Sequence, residues 1–289
     1  MQRSITIAAI CMIVSVLLST PALAQCPALT NPLQLIDGQT WAFEAMSGGN
    51  SIGQASIGKF TAKYVAPSSL LPFGRGMLTV TQSLDLPAYV VDQLTSAGTY
   101  QIYPDCSGGT LSFNNGLQAI TFAFVFTSNF TEMYLISTLN SGPEQSNWGA
   151  AKLVPAFSCP VGTTNPLDVI KGMTFGFKLE PATYYQDFAT AVAGIFTASE
   201  GLSRGANPTT IGTLGGSFTK IPYLGSPTSL AAISGRYIME TDCSGGSIMF
   251  GTAVLPQTLK FIFTNAAFTE MYLLSMDGTN PYAGHSKKF

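Results

Sequence analysis

The chain has 289 residues, 46% of them hydrophobic and only 10% charged, with a formal net charge of −2. An average soluble domain is roughly 25% charged, so surface polarity here falls to Ser, Thr, Asn, Gln and Gly, a composition suited to an extracellular or envelope-associated β protein. The weak acidity, with no Lys/Arg cluster outside Lys287-Lys288, excludes nucleic acid as a partner.

Arg3 is followed by an almost wholly apolar run from Ile5 to Leu18, and Pro21-Ala22-Leu23-Ala24 offers an A-x-A site before Gln25. This is the pattern of a cleaved secretory signal, residues 1–24, and predicts a secreted or periplasmic chain. Gln25 stands where a lipobox needs a small residue before Cys26, so a soluble exported protein is expected rather than a lipoprotein. No later segment is long and apolar enough to read as a transmembrane helix. Loss of the signal removes Arg3 and no acid, leaving a mature balance of −3.

From Cys26 onward the chain says nearly the same thing twice. Cys26-Pro and Thr30-Asn-Pro-Leu33 return as Cys159-Pro and Thr164-Asn-Pro-Leu167. Gly38-Gln-Thr-Trp41-Ala-Phe43 returns as Gly172-Met-Thr-Phe175-Gly-Phe177, each a strand after a turn with aromatics at i and i+2 on one face. Gly58-Lys-Phe60-Thr-Ala62 is answered by Gly194-Ile-Phe196-Thr-Ala198, with further strands expected at 77–83 and 211–219. Short helices are expected over Ala88 to Ser96 and Ala182 to Ala191. Gly98-Thr-Tyr100 leads to Asp105-Cys106-Ser-Gly-Gly, and Gly235-Arg-Tyr237 to Asp242-Cys243-Ser-Gly-Gly. These read as hairpin turns whose glycines permit positive φ and whose aspartates cap neighbouring amides.

The phenylalanine ladder Ile120-Thr-Phe122-Ala-Phe124-Val-Phe126 matches Leu259-Lys-Phe261-Ile-Phe263, and Phe130-Thr-Glu132-Met-Tyr134-Leu matches Phe268-Thr-Glu270-Met-Tyr272-Leu. The step between copies is 137 residues at the cysteines and 138 at Phe130. A period that long means a duplicated domain rather than a solenoid. The expected fold class is therefore all-β, a tandem duplication of a small antiparallel barrel or rolled sheet with about seven to eight strands each. Repeat one spans 26–140, a Gly/Pro/Ser-rich linker 141–158, repeat two 159–280, and a tail 281–289.

With Cys11 lost in the signal, four cysteines remain. Of three connectivities, the one that respects the repeat pairs Cys26 with Cys106 and Cys159 with Cys243, closing spans of 80 and 84 residues. A metal site is not expected, because no C-x-x-C pair exists and the single histidine, His285, falls in the tail. The acids show no D-x-D-x-D-G spacing for calcium.

The G-x-Y followed by D-C-S-G, with the earlier G-x-F-T-A and later E-M-Y-L strands, resembles a group of secreted bacterial β-rich proteins carrying a G-T-Y-x-V-x-x-D-C-T-G signature. The resemblance implies a calycin-like barrel and supplies no catalytic residues. Gly38-x-x-Trp41 is similar to the lipocalin G-x-W opening, one residue longer and without an arginine to cap the tryptophan, so the lipocalin likeness is one of architecture.

No nucleophile–base pair or phosphate loop is present: Gly48 to Gly53 lacks the Lys-Ser/Thr that a phosphate loop needs. Asp105 and Asp242 read as turn caps. Glu132 and Tyr134 alternate with Met133 and Leu135, and the pattern leaves the buried face open. With Met133 and Leu135 inward, Glu132 is solvated; with Tyr134 and Ile136 inward, it becomes a polar handle inside an apolar barrel. The candidate ligand pocket is thus Glu132, Tyr134, Phe122 and Phe124, with their counterparts Glu270, Tyr272, Phe261 and Phe263. No cofactor is expected. The expected role is a non-catalytic binding or structural module for an apolar small molecule or a surface partner. The alternative is a cofactor-free cyclase or isomerase using a buried Glu and Tyr.

Overall fold

The computed structural model describes residues 26–48, 53–69, 74–86, 88–116, 118–138, 146–155, 158–182, 190–199, 211–222, 231–251, 258–278 and 281–289. The signal segment lies outside them, as does most of the glycine-rich stretch after Gly48. Eight strands follow the first cysteine: β1 Thr40–Gly48, β2 Ala55–Val65, β3 Arg75–Leu86, β4 Tyr89–Ile102, β5 Gly108–Asn114, β6 Ala119–Phe126, β7 Glu132–Ser137 and β8 Ser146–Val154. Eight more follow Cys159: β9 Thr174–Pro181, β10 Thr190–Ser199, β11 Gly212–Pro222, β12 Ala231–Met239, β13 Gly245–Phe250, β14 Thr258–Phe263, β15 Glu270–Ser275 and β16 Tyr282–Lys288. Within each set of eight, each strand pairs antiparallel with the next, and β8 returns to β1 as β16 returns to β9, so the chain forms two closed barrels in tandem. Closure leaves neither sheet an open edge.

The closing strands come from segments whose sequence reads otherwise. Ser146–Val154, expected as linker, is β8, and Tyr282–Lys288, expected as tail, is β16. Their middle inward positions are small, Gly149 and Ala151 in one and Gly284 and Ser286 in the other, and bulk enters only at one end, with Leu153 in β8 and Tyr282 in β16. The bulky phenylalanines of neighbouring strands fill the interior at that point, so the aromatic alternation that marks the other strands is missing. The helix expected over Ala88 to Ser96 is instead the start of β4, bent by a register shift opposite Gln82 and Leu84 and by Gln93 at φ 54°. Of the segment 182–191, residues 183–189 lie outside the described ones, and Thr190 and Ala191 begin β10.

The recurring blocks hold each barrel together in the same way. Trp41, Phe43, Phe60, Phe113, Phe122 and Phe124 fill the first interior; Phe175, Phe177, Phe196, Phe250, Phe261 and Phe263 fill the second. Phe124 meets Phe126 edge-on at 5.1 Å, and Phe261 meets Phe263 at 5.4 Å, the arrangement favoured by the ring quadrupoles. Asn31 and Asn165 cap short 3-10 turns by accepting from the amides of Leu33 and Leu167 at 2.9 and 3.1 Å. Buried Tyr100 and Tyr237 donate to the carbonyls of the same two leucines, at 2.6 and 3.2 Å. That bond accounts for the recurrence of G-x-Y and N-P-L together. The disulfides Cys26–Cys106 and Cys159–Cys243 form as the repeat requires.

Asp105 and Asp242 cap their turns by accepting from the amides of Ser107 and Ser244. The positive φ in these turns belongs to the cysteines, Cys106 at 56° and Cys243 at 58°, and not to the glycines. Gly109 and Gly246 are needed for another reason: a Cβ there would collide with the backbone carbonyls of Gln101 and Ile238 on the paired strand.

The barrels pack on each other through their outer faces. Ala42, Met46, Ala55 and Ile57 of the first meet Ile262, Tyr272, Leu274 and Ala283 of the second. Polar contacts frame this seam. Lys260 Nζ lies 3.3 Å from Asp92 and 3.2 Å from Glu240, Lys59 Nζ donates to Ser244 at 2.6 Å, and Asp85 accepts from the Gly278 amide at 3.0 Å and from the Ser275 hydroxyl. Burial therefore runs nearly unbroken along β14 and β15, whereas β6 and β7 alternate.

Candidate functional site

The seam opens into a cleft of about 270 Å³ between β1, β7 and β8 of the first barrel and β15 and β16 of the second. Met133 and Leu135 point into the first barrel, which sets Glu132 and Tyr134 on its outside. Their counterparts Glu270 and Tyr272 project the same way from the second. The structure thus brings Glu132, Tyr134, Glu270 and Tyr272 together in one inter-barrel cleft. Phe122, Phe124, Phe261 and Phe263 lie apart from it, within the two cores. Those cores are packed; a recess of about 20 Å³ beside Phe122 has room for a single water.

Glu132 lies opposite Lys152 in the β7–β8 ladder, and Glu270 opposite Lys287 in β15–β16. Lys152 Nζ sits 3.5 Å from Glu132 and reaches across the seam to Glu270 at 3.0 Å, while Lys287 holds the other Glu270 oxygen at 3.0 Å. Burial works against the Lys152 charge, but the hydrogen bond and charge of Glu270, with Glu132, outweigh it and hold the ammonium above its ordinary range. The Lys152 hydrogen bond holds Glu270 below the usual carboxylate range, against a smaller effect of burial. The four charges of Glu132, Lys152, Glu270 and Lys287 are thereby committed to one another.

Glu44 is different. It stands on the outer face of β1 between Ala42 and Met46, both of which are buried in the seam. Its Oε2 is withdrawn from solvent and has no hydrogen-bond partner. Burial, reinforced by the charge of Glu180 and only partly relieved by Lys152, raises its carboxyl to about 8. Tyr272 Oη and Thr264 Oγ1 are likewise enclosed and unpartnered, and both residues are 4% exposed. Burial, then the charge of Glu44, pushes the Tyr272 phenol far up. All three orphaned atoms belong to residues lining this one cleft.

Sequence reasoning missed Glu44, Lys152, Thr264 and Lys287. A signal for Glu44 was present: in Trp41-Ala-Phe43-Glu-Ala-Met46 every neighbour on either face is apolar, which marks a strand buried on both sides with one carboxylate in it. His285, expected in a tail, stands exposed on β16 at the cleft. Among the described residues no group of three or more His, Cys, Asp or Glu is arranged to hold a metal ion, and no helix is long and apolar enough to cross a membrane.

No protein-family model matches the sequence, and no curated protein matches it significantly. Solved structures to which the chain is similar include a Nitrosomonas europaea protein provisionally named AttH. It is 10% identical, the match covers 86% of this chain and 91% of that one, and the TM-score is 0.25. A Bacteroides fragilis protein provisionally named an outer membrane protein is 11% identical over 90% of this chain and 100% of that one, with a TM-score of 0.24. At these scores the likeness assigns neither family nor activity.

Proposed function

We propose that this chain is an exported, non-catalytic binding module whose ligand site is the cleft between its two calycin-like barrels. The observation that carries this reading is that three residues with a buried, unpartnered polar atom, Glu44, Thr264 and Tyr272, line one cleft. Enclosing a polar group without a partner costs about 1–3 kcal/mol, and a ligand that supplies the partners recovers that cost. The ligand is then a small molecule with a hydrogen-bonding head set against apolar walls, rather than a wholly apolar one inside a barrel. The two disulfides support an extracytoplasmic location, secreted or periplasmic, after cleavage behind Ala24.

The test is thermal stabilisation of the mature chain by a panel of small molecules, with Ala150→Phe as control. Ala150 faces the cleft beside Tyr134, so the ring obstructs it. Stabilisation of the wild type that is lost in Ala150→Phe supports the site; no stabilisation, or equal stabilisation of both proteins, overturns it. One observation favours the alternative of a cofactor-free acid–base enzyme: the Glu44 carboxyl, raised to about 8 beside Tyr272, is poised near neutrality as a general acid or base. That reading requires turnover of the bound molecule, abolished in Glu44→Gln while binding persists.

A further inference from the structure

Resting on the cleft as a binding site, we infer that its ligand carries a cationic amine, seated against Glu44, Tyr272 and Thr264. An ammonium has three N–H donors and no acceptor. The three orphaned atoms are all oxygens able to accept, so the donors of one such group match them in number and kind. Charge selects the same class. Lys152 and Lys287 are already engaged by Glu132 and Glu270, and so offer little to an anion. Glu180 is paired with Lys178 on β9. Glu44 is the cleft carboxyl left without a cation in contact. Facing it are Glu180 from β9, Lys152 from β8 and Tyr272 from β15, with exposed His285 and Lys287 on β16 further lining the cleft.

The proton balance is explicit. With the cleft empty at pH 7, Glu44 is held protonated by burial; the incoming ammonium keeps its proton, and the carboxyl gives up its own to solvent. Titration calorimetry of straight-chain and aromatic primary amines, with alcohols and carboxylates of matched size, tests this. The amines are expected to bind at least tenfold more tightly than the alcohols. Their binding heat at pH 7 should vary with buffer ionisation enthalpy as release of about one proton requires. Glu44→Gln should abolish both the preference and the proton release. Alcohols or carboxylates that bind as tightly as amines, in a manner blocked by Ala150→Phe, would overturn the ligand class and leave the site standing. Binding by none of the three classes overturns both.

A separate observation assigns an interaction surface. The ladder registers place Val125, Tyr134, Ile136 and Trp148 of the first barrel where the second has Ile262, Tyr272, Leu274 and Ala283. The second set is 7, 4, 0 and 0% exposed, buried against β1–β2; the first is 53, 63, 56 and 41% exposed. The intramolecular seam is thus head-to-tail, and it leaves one face of each kind uncovered. The open counterpart of β1–β2 is the outer face of β9–β10, where Gly176, Ala193 and Glu180 stand in place of Ala42, Ile57 and Met46, and Ile195, in place of Lys59, is 44% exposed. We propose that the β6–β8 face of one copy docks on the β9–β10 face of a second copy, continuing the seam between molecules.

Sedimentation velocity over a concentration series should show the mature chain growing beyond a monomer. Ile136→Arg and Ile195→Arg, both at exposed positions, should each stop that growth alone. Mixed together they should form a dimer and nothing larger, since one intact face of each kind survives. A wild type that stays monomeric at its highest soluble concentration overturns the surface. An Ile195→Arg protein that still associates overturns the head-to-tail pairing.

Discussion

Glu44→Gln tests the seam through its pH dependence. The carboxyl titrates near 4.5 when unfolded and near 8 in the folded chain. Because the folded value is the higher one, the folded state binds the proton more tightly, and the stability linked to it is complete below about pH 4.5 and lost as pH rises through 8. Each pKa unit corresponds to about 1.4 kcal/mol, so the whole loss is about 5 kcal/mol. About 2 kcal/mol of it falls between pH 6 and pH 8. Asp85, raised to about 6 by burial in the same seam, has lost nearly all of its own linked stability by pH 6.5 and adds only a few tenths of a kcal/mol in that window. Urea unfolding of the disulfide-intact, ligand-free protein at half-unit steps from pH 6 to 8 gives the slope directly. Wild-type stability should fall by about 2 kcal/mol, and Glu44→Gln should flatten the curve. Parallel curves for the two proteins would show that Glu44 is not held protonated and that the cleft wall is wetter than its geometry implies.

Leu274→Ala, at a fully buried seam position, should cost about 3 kcal/mol in unfolding free energy, whereas Ile136→Ala, at the equivalent but exposed position, should cost less than about 0.5 kcal/mol. Lys260→Ala removes the cation between Asp92 and Glu240 and should destabilise by about 2 kcal/mol at neutral pH in chemical denaturation, moderated because Asp92 is half solvated. Replacing either cysteine pair by serine should cost about 4 to 5 kcal/mol, from loops of 80 and 84 residues; non-reducing peptide mapping that finds Cys106 linked to Cys243 would contradict the pairing.

What could be read from the sequence was whatever the duplication repeats within one barrel. Two matched aromatic ladders, two G-x-Y blocks and four matched cysteines specify a pair of similar β units, because inward packing depends on period-two alternation inside each copy. The closing strands escaped notice because Gly149, Ala151, Gly284 and Ser286 give way to phenylalanines from other strands, and a single bulky inward residue in each, Leu153 or Tyr282, makes no visible period. The candidate site was legible in part: Glu132, Tyr134, Glu270 and Tyr272 do line the cleft, but the pairing of faces that forms it was not. Glu132 and Tyr134 could be placed on a face only by knowing which of two alternations was inward. Which outer faces meet is a property of the pair of barrels and leaves no periodic trace in either. Only the doubly apolar surroundings of Glu44 carried that information, in a single residue.

Recurrence also misled about role, and the geometry of the seam explains how. In a twofold junction equivalent residues share one environment; in a head-to-tail junction they cannot. Tyr134 and Tyr272 are the same residue in the same block, yet one is 63% exposed and the other 4%. Only Tyr272 loses its water without gaining a partner. The register that sets Glu44 opposite Ala150 sets Lys178 opposite His285, so the position that supplies a buried acid in the first barrel supplies a solvated cation in the second. A duplication that kept both barrels intact therefore gave the single chain one intramolecular junction, and the cleft of about 270 Å³ opens there. Within a single chain Glu44 is enclosed by the seam, whereas its counterpart Lys178 is half exposed and meets Glu180 on its own strand. The residues that differ between the copies on these outer faces, Glu44 against Lys178 among them, follow that asymmetry of burial.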